Sequence, residues 1–366
     1  MQLECIWLYP RAAFHFGERG IGLEETSLVL HSDTLFSALC AAWQVLYGNE
    51  TLSRELLPPE DGGAWQPPFF LSSAFPFAGG VRFYPRPFLP VYEAIEADGR
   101  TDVSQRDIEG WHKQLKEVEW VSEGVFIALL QGGYPHPPTE GKLIHDGTVW
   151  ITHEEAEQLR EQFRLRSLEG ERFWMVMKAP RVTLDVETSA SEIWHFGRVI
   201  FREPEDHREI CCGYHFFVRY LEESFAERVR AALRLLGDIG IGGDRTSGHG
   251  LFTPEFSQGP QWAQLQSASA FITLSLVYPK PEETSALLNE ASRYRLIKRG
   301  GWIGGVRSTP WRRKTVRMVA EGSRLGGDPA QAWGDLVDVT PDDFMALGLP
   351  HRVYRWGFAF PVGVRS

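Results

Sequence analysis

The sequence predicts an α+β fold of two ferredoxin-like domains that carry long insertions and a projecting β-hairpin. Three observations support this prediction. The chain has 366 residues, which suits two domains at roughly 100–200 residues each. Segments with strand character alternate with segments of helical periodicity, and each half fits a β-α-β-β-α-β pattern. Hydrophobic residues make up 43% and charged residues 23% of the chain, which excludes a disordered or fibrous protein.

The first half begins with a strand and a helix. Residues 2–9 alternate well enough between apolar and polar side chains to predict a strand. Further along, apolar residues recur at helical spacing; we expect Ser32 or Asp33 to be the N-cap of this helix and Gly48 to end it. Dense proline and glycine then predict short aromatic strands between 57 and 90.

An acidic insertion and a β-hairpin interrupt this half. We place the insertion at about residues 91–165, with a helix around 105–120, and expect it to face solvent or a protein partner. Two β-rich arms beside a small polar turn predict a projecting hairpin at about 181–201. A strand at 210–221, an amphipathic helix, a glycine-rich segment and a strand at 251–256 complete the half.

A polar stretch at 257–269 predicts the boundary between the two domains. The first domain is expected to span residues 1–262 and the second residues 263–366. In the second domain we expect strands and one helix, at 271–278 (strand), 281–291 (helix), 293–297, 315–320 and 352–361 (strands).

Cysteine content and hydropathy exclude several classes of protein. The four cysteines form no Cys-x-x-Cys pair, so neither a disulfide framework nor a zinc site is predicted. No apolar run approaches the ~18–20 residues that a membrane span needs, and no membrane contact is expected. The first residues lack the basic flank and apolar stretch of a signal peptide, which predicts a cytoplasmic protein.

Positive charge is concentrated in one stretch. The chain has 38 Lys+Arg and 48 Asp+Glu, a net charge of −10. Residues 291–320 contain nine basic residues and no acidic one, which leaves 29 basic against 48 acidic residues elsewhere. Aromatic residues such as Tyr294, Trp302 and Trp311 are interleaved with these charges, which suits base stacking. We therefore expect a groove for a polyanion, with a merely solvated basic face as the alternative.

The segment Gly237–Gly250 contains six glycines. It is not a Walker-type phosphate loop, because His249 and Gly250 stand where Lys and Ser/Thr should be. It is not a dinucleotide fingerprint either, because Arg245 occupies the third glycine position and the segment follows a helix. A loop whose backbone amides lie against RNA phosphates is the prediction, and a connector without a ligand is the alternative.

No catalytic constellation stands out among the side chains. His15, His31 and His249 lie beside candidate RNA-contacting segments, and His31 at a helix N-terminus would suit a general base. No second acid–base group accompanies it, so a structural histidine is the favoured interpretation. No metal-ligand motif is present, and neither a metal nor a cofactor is expected.

Several motifs together resemble one family. In chain order they are HSDTLFSAL at 31–39, RVTLD at 181–185, GIGGDRTSGHG at 240–250, KRGGW at 298–302, AEGS at 320–323 and HRVYRWG at 351–357. Over its whole length the chain resembles the RAMP-superfamily subunit that caps the 5′ end of the guide RNA in type III-A (Csm) CRISPR interference complexes. The glycine-rich segment is typical of the superfamily, whereas the motifs at 31–39 and 298–302 are more specific to this subunit.

The resemblance implies a fold, a role and partners. It implies two RRM-like domains, with the hairpin 181–201 as the thumb that interrupts guide–target pairing near the handle. It also implies binding of the 5′ handle of the guide RNA, of target RNA near the handle, of the large polymerase-like subunit and of a backbone RAMP subunit. The family has no known catalytic role. Val186 departs from the family pattern, since many relatives have Arg there; Arg181 or Arg198 is the candidate substitute.

The predicted function is therefore capture of RNA without chemistry, in a chain that is not an enzyme. Trp302 or Phe196 is expected to stack on a base, worth ~1–3 kcal/mol. The predicted RNA-binding residues are His31, Ser32, Thr34, Arg181, His195, Phe196, Arg198, Gly240, Gly242, Gly243, Arg245, Thr246, Ser247, Gly248, Lys298, Arg299, Gly300, Gly301, Trp302, Arg312, Arg313 and Lys314. The alternatives are a metal-independent endoribonuclease that cleaves CRISPR repeat RNA and the equivalent subunit of a type III-B complex.

Overall fold

The computed structural model of the chain describes residues 2–17, 24–59, 61, 63, 65–89, 105–134, 140–184, 191–203, 211–263, 268–303, 311–342 and 351–365. In chain order their helices and strands are β1 (Gln2–Pro10), α1 (Ser32–Leu56), β2 (Phe69–Leu71), β3 (Phe75–Ala78), β4 (Val81–Pro85), α2 (Gln105–Glu117), β5 (Trp120–Ser122), α3 (Glu123–Leu130), β6 (Gly141–Ile144), β7 (Val149–Thr152), α4 (His153–Gln162), β8 (Trp174–Leu184), β9 (Ser191–Phe201), β10 (Cys212–Tyr220), α5 (Ala226–Ile239), β11 (Phe252–Gln258), β12 (Ala270–Thr273), α6 (Thr284–Leu287), β13 (Leu296–Arg299), β14 (Trp302–Ile303), β15 (Trp311–Arg312), β16 (Val316–Val319), β17 (Arg324–Gly326), β18 (Gly334–Asp338), β19 (Tyr354–Phe358) and β20 (Pro361–Gly363). None of the helices in these ranges combines the length and apolar character needed to cross a membrane.

A nine-stranded sheet organises the first half. Its strands run in the order β11-β1-β10-β3-β4-β5-β7-β6, and β2 also pairs with β10. The pairings among β11, β1, β10 and β3 are all antiparallel. Helix α1 connects β1 to β2, and α5 connects β10 to β11. The described part of the acidic insertion extends this sheet, because β5 pairs with β4 and carries β7 and β6 beyond it.

Helix α1 is longer than the sequence predicted. Its N-cap is His31, which makes no side-chain cap, whereas Ser32 and Asp33 lie buried inside the first turn. Gly48, at φ 83, kinks the helix, which then continues to Leu56 instead of ending. The helix packs on the sheet through large apolar side chains, among them Leu35, Phe36, Leu39 and Trp43.

The predicted hairpin is present as β8 and β9. Eleven cross-strand pairs join the two strands, from Trp174–Phe201 at the base to Leu184–Ser191 at the far end. A backbone bridge between Phe14 and Val199 attaches the base to the start of the chain. Residues 185–190, including Val186, lie outside the described residues.

The second half is built from shorter strands. β12 pairs with β17 on one side and with β20 on the other. A bridge from Val277 to Val319 continues this arrangement to β16, which pairs with β13. β14 pairs with β15, and β18 pairs with β19. The helix predicted at 281–291 is reduced to the short α6 and a preceding helical turn.

The two halves share one hydrophobic core. The ring of Phe36 in α1 lies 4.9 Å from that of Trp356 in β19, and Phe217 in β10 stacks on Phe360 at 6.0 Å. Trp356 and both phenylalanines of the second contact are fully buried. Apolar packing of this kind across the predicted boundary fixes how the two halves meet.

Candidate nucleic-acid interface

The glycine-rich loop docks onto residues 13–16. A Cβ atom on Gly242, which has φ 92, would overlap the carbonyl oxygen of His15, and one on Gly250 would overlap that of Ile241. The Gly243 amide donates to the His15 carbonyl at 2.9 Å, and the Gly250 amide donates to the Ala13 carbonyl at 2.8 Å. The glycines are therefore required for close backbone packing.

Because of this packing, most loop amides are not available to a phosphate. The amides that donate to carbonyl groups of the chain are those of Gly240, Ile241, Gly243, Ser247, Gly248, His249 and Gly250. The expectation that bare glycine amides cradle phosphates is not supported at these positions. The exposed turn Arg245–Ser247 differs, since the amides of Arg245 and Thr246 have no backbone acceptor among the described residues.

An aromatic and charged cluster fills the space between this loop and the middle of the hairpin. The Arg181 guanidinium lies 4.3 Å from the ring centre of Phe196 and donates to the carboxylate of Asp244. The His15 ring also stacks on Phe196, with the two ring centres 4.6 Å apart, and its Nδ1 lies 2.7 Å from the Gly197 carbonyl oxygen. Phe196 is only 1% exposed, so it packs the hairpin onto the loop and cannot stack on a base.

Burial and neighbouring charges shift the pKa values of two groups in this cluster. Partial burial alone would raise the pKa of Asp244, but hydrogen bonds from Arg181 and Ser247 lower it overall. Burial lowers the pKa of His249, and the nearby Arg181 and Arg198 act in the same direction against the attraction of Asp244. The hairpin strands therefore carry their cations close to the loop, with His195 exposed and Arg198 half-buried.

A second group of cations lies on exposed strands of the second half. Lys298 in β13 stands directly opposite Arg317 in β16, and both are exposed. Trp302 in β14 is 43% exposed, and the Arg312 guanidinium lies over its indole, 4.7 Å from the ring centre. We call Lys298, Arg317, Trp302 and Arg312 the basic strand face.

The basic strand face is electrostatically unbalanced. Like charges directly opposite each other on neighbouring strands destabilise a sheet. Neither Lys298 nor Arg317 has a salt bridge to a carboxylate in the part of the chain that the structure describes. The exposed indole of Trp302, four residues after Lys298 in the chain, offers a flat apolar surface. This combination suits a ligand that brings both negative charge and aromatic bases.

Other basic residues of the same stretch belong to the interior. Arg299 donates to both carboxylate oxygens of Asp33, at 2.9 and 3.0 Å, and Arg355 donates to the same carboxylate. Burial would raise the pKa of Asp33, but these two arginines hold it well below its usual range. The Arg299 side chain is buried and also donates to the Thr34 hydroxyl at 3.0 Å.

His31 and Ser32 are likewise used within the chain. His31 Nδ1 lies 2.8 Å from Glu321 Oε1, and both residues are buried. The Ser32 hydroxyl accepts from the Leu276 amide at 3.1 Å. The expectation that His31, Ser32, Thr34 and Arg299 contact RNA is corrected accordingly: these residues join the two halves through buried hydrogen bonds and ion pairs.

The remaining predicted residues differ in how far they are exposed to solvent. Arg313 donates to the Ser37 hydroxyl at 3.2 Å, and burial lowers its pKa to about 10. The Gly300 carbonyl oxygen accepts from the Arg355 guanidinium, and the Gly301 carbonyl oxygen accepts from the Arg313 amide. Lys314 is exposed, and its Nζ lies 2.7 Å from Asp342 Oδ1.

Sequence reasoning missed Arg317 and the Arg181–Trp194 contact. Arg317 stands directly opposite Lys298, so the two side chains lie on the same face of the strand pair. The sequence reveals this only once β13 and β16 are paired. Trp194 is the cross-strand partner of Arg181, and its ring centre lies 5.6 Å from the guanidinium. Within the described ranges, no group of three or more His, Cys, Asp or Glu side chains could hold a metal ion.

Comparison with known proteins agrees with the motifs. The profile of the family described as CRISPR Csm4 C-terminal domain matches residues 266–364. A protein described as Csm4 from Thermococcus onnurineus is 27% identical over 333 residues, covering 91% of each chain. One from Methanocaldococcus jannaschii is 22% identical, covering 97% of this chain and 96% of its own.

Solved structures share the fold over the whole chain. A crystal structure of a Csm3–Csm4 subcomplex in the type III-A interference complex contains a chain with a TM-score of 0.64, 17% identity and full coverage of both chains. A Csm1–Csm4 cassette in complex with cA4 contains one with a TM-score of 0.57 and 22% identity, covering 100% of this chain and 98% of that one. Together with the sequence matches, these findings confirm the resemblance: the chain is similar to Csm4 proteins over its whole length, and its residues 266–364 match the Csm4 C-terminal domain.

Proposed function

We propose that this chain is a non-catalytic RNA-binding subunit of a type III-A complex that captures the 5′ handle of the guide RNA. The observation that carries the proposal is the basic strand face, where Lys298 and Arg317 stand opposite each other without a carboxylate partner among the described residues and Trp302 exposes its indole. Phosphates would neutralise Lys298 and Arg317, and a base would stack on Trp302. The exposed turn Arg245–Ser247 offers further amides and an arginine for phosphates.

Strand order supports two ferredoxin-like domains. In the first half the order β11-β1-β10-β3, with a helix in each crossover, is that of a β-α-β-β-α-β unit. In the second half β12 lies between β20 and the segment that contains β16 and β17, and β13 lies outermost. This strand order matches that of the first half, and α6 takes the place of the first helix. The second helix is replaced there by β18.

We assign the hairpin β8–β9 the role of a thumb between guide and target RNA near the handle. One of its faces, carrying Arg181 and Trp194, packs toward the glycine-rich loop. The opposite face exposes Val182, Ile193 and Leu184. Exposed apolar side chains on a rigid two-stranded arm suit insertion beside an unstacked base pair.

Two protein partners are part of the proposal. The similar solved chains are in complexes with Csm1 and with Csm3. We assign this chain the same position between a large Csm1-type subunit and a Csm3-type backbone subunit. The fold, which is shared over the whole chain, is what supports the assignment.

Two of the three candidate histidines, His31 and His15, support a role without catalysis. His31, the residue that an endoribonuclease would use as a base, is buried against Glu321. His15 is 3% exposed and holds the Gly197 carbonyl. A general base must reach the proton that it removes, and neither ring is placed to reach a ribose hydroxyl.

The test is the salt dependence of guide-RNA binding. The triple variant Lys298→Gln, Arg317→Gln and Arg312→Gln should weaken binding. It should also reduce the slope of log K against log salt by about 2, since each phosphate contact with a single strand contributes ~0.7. Binding of 5′-labelled guide RNA by the purified chain, from low to high salt, measures this slope.

The matched control removes three exposed cations of the insertion and the segment after it, as Lys113→Gln, Arg164→Gln and Arg166→Gln. It changes the net charge by the same amount and should leave the slope unaltered. If both variants reduced the slope of log K against log salt equally, the effect would come from overall charge. That result would contradict a localised RNA interface.

A further inference from the structure

A cavity of about 190 Å³ opens at the seam between the two halves. The first half contributes Phe70, Arg219 and Leu221 to its wall, and the second half contributes Ala330, Ala332 and Pro361. Arg219 is the only charged residue among the lining residues. The cavity is distinct from the basic strand face and from the glycine-rich loop, since none of its lining residues belongs to either.

Arg219 is a buried cation with no counter-ion among the residues that the structure describes. It is 4% exposed, its Nη2 donates to the Ala263 carbonyl at 3.1 Å, and its guanidinium lies 4.4 Å from the ring centre of Phe360. No carboxylate in the described ranges pairs with it, and burial alone lowers its pKa to about 10. A buried charge normally has a partner of opposite sign.

The surroundings of the cavity exclude a nucleic-acid ligand. RNA sites contain several cations that follow the phosphate backbone, whereas this wall contains one. The residues next to the lining positions are acidic, namely Glu222 and Glu223 after Leu221, and Asp328 before Pro329. Repulsion from these carboxylates grows with the number of negative charges on the ligand, so it opposes a phosphate chain more than a single carboxylate, which also gains charge-assisted hydrogen bonds from Arg219.

We propose that the cavity is a docking site for an acidic side chain, Asp or Glu, of a protein partner. The carboxylate binds the Arg219 guanidinium in charge-assisted hydrogen bonds, and its aliphatic stem packs against Phe70 and Pro361. Because both halves line the cavity, the docked group also bridges the seam. The site is new relative to RNA capture and does not depend on it.

A small-molecule probe tests the chemistry of the cavity. We expect 3-phenylpropionate to shift the amide NMR signals of Ala330 and Ala332 saturably, and its neutral analogue 3-phenylpropanamide to bind about tenfold more weakly. The variant Arg219→Met, which replaces the buried cation with an apolar side chain of similar length, should remove this discrimination. Equal binding of both probes to the unchanged protein would overturn the proposal.

A crosslinking measurement tests the occupant in the assembled complex. Ala332 is exposed at the mouth of the cavity and is replaced by the photoreactive residue p-benzoylphenylalanine in the complex reconstituted with guide RNA. We expect a crosslink to a protein subunit, and a yield several-fold lower when Arg219→Met is added. A crosslink to RNA, or a yield that Arg219→Met does not change, would overturn a carboxylate-bearing protein partner.

The matched control is Arg234→Met. Arg234 also places its guanidinium over a phenylalanine ring, 5.3 Å from the centre of Phe256, but it is exposed and lies outside the cavity. This variant should leave both probe binding and crosslinking unchanged. The probe measurement needs no RNA and no partner, so its failure is distinguishable from failure of the proposed RNA function.

Discussion

At the scale of single residues, burial separates the arginines that build the fold from those that face solvent. Arg299 and Arg312 lie in one basic stretch of the sequence, yet Arg299 is buried against Asp33 and Arg312 is exposed over Trp302. The sequence shows the charges but not their partners, because Asp33 is 266 positions away from Arg299. Basic clusters therefore predict an interface better than they predict its individual contacts.

The carboxylate of Asp33 is expected to be essential for stability. Asp33→Asn leaves Arg299 and Arg355 buried without their counter-charge, which should lower the free energy of unfolding by about 3–5 kcal/mol. Urea denaturation measures the change. The control Asp238→Asn breaks an ion pair with Arg11 in which both side chains are largely exposed, and it should cost below about 1 kcal/mol. Similar losses in the two variants would contradict a structural role for the buried cluster.

Two buried histidines predict a pH dependence of stability. Burial lowers the pKa of His145 to about 4 and that of His215 well below its usual value. Between about pH 4 and the unfolded pKa of about 6.5, the unfolded chain therefore binds more protons than the folded chain, and stability must rise with pH. From pH 6.5 to pH 5 the free energy of unfolding should fall by about 1.6 kcal/mol through His145, and the lowered pKa of His215 acts in the same direction.

The variant His145→Gln isolates one of these contributions. Its stability should depend less steeply on pH over the same interval, as measured by urea denaturation at pH 7, 6 and 5. A dependence identical to that of the unchanged protein would mean that His145 titrates normally in the folded state. The carboxylates with lowered pKa values, Asp33 and Glu321, act in a different window, because the stability that they contribute is lost only as the pH falls below their usual values of about 4.

At the scale of elements, the glycine-rich loop shows what a residue pattern can and cannot predict. The pattern argues against nucleotide-binding loops, and its placement of the segment between a helix and a strand is confirmed. It does not reveal that the glycines serve close packing onto His15 and its neighbours, since that contact joins segments more than 220 residues apart. The hairpin is predicted from two β-rich arms beside a small polar turn, but its longer strands and its packing through Phe196 follow from tertiary contacts.

Gly242→Ala tests this account of the loop. The new Cβ atom would meet the His15 carbonyl at a positive φ, which alone costs roughly 1–2 kcal/mol for a non-glycine residue. We expect faster hydrogen exchange at the amides of Gly243 and Gly250 and weaker guide-RNA binding. Gly248→Ala is the control, because it has the same kind of φ but nothing within 4 Å of the new atom; equally fast exchange in both variants would leave backbone strain, not packing, as the cause.

At the scale of the whole molecule, a buried seam holds two β-rich halves together. Aromatic rings, the Asp33 ion pairs and the His31–Glu321 contact all cross this seam. The sequence predicts two similar halves from their order of elements, but it does not predict how they meet. The motif at 31–39, which looks like an RNA-binding helix start, lies at the seam, and so its polar residues position the second half instead of touching a ligand.

The central claim is that the basic strand face holds the 5′ handle, and crosslinking tests it most directly. Guide RNA carrying 4-thiouridine at single handle positions is assembled with this chain and the Csm1-type and Csm3-type subunits proposed as its partners, irradiated and analysed by mass spectrometry. We predict crosslinks from the handle to peptides that contain Trp302 or the Lys298–Arg317 strand pair. Crosslinks from every handle position to other subunits only, with none to this chain, would contradict the account.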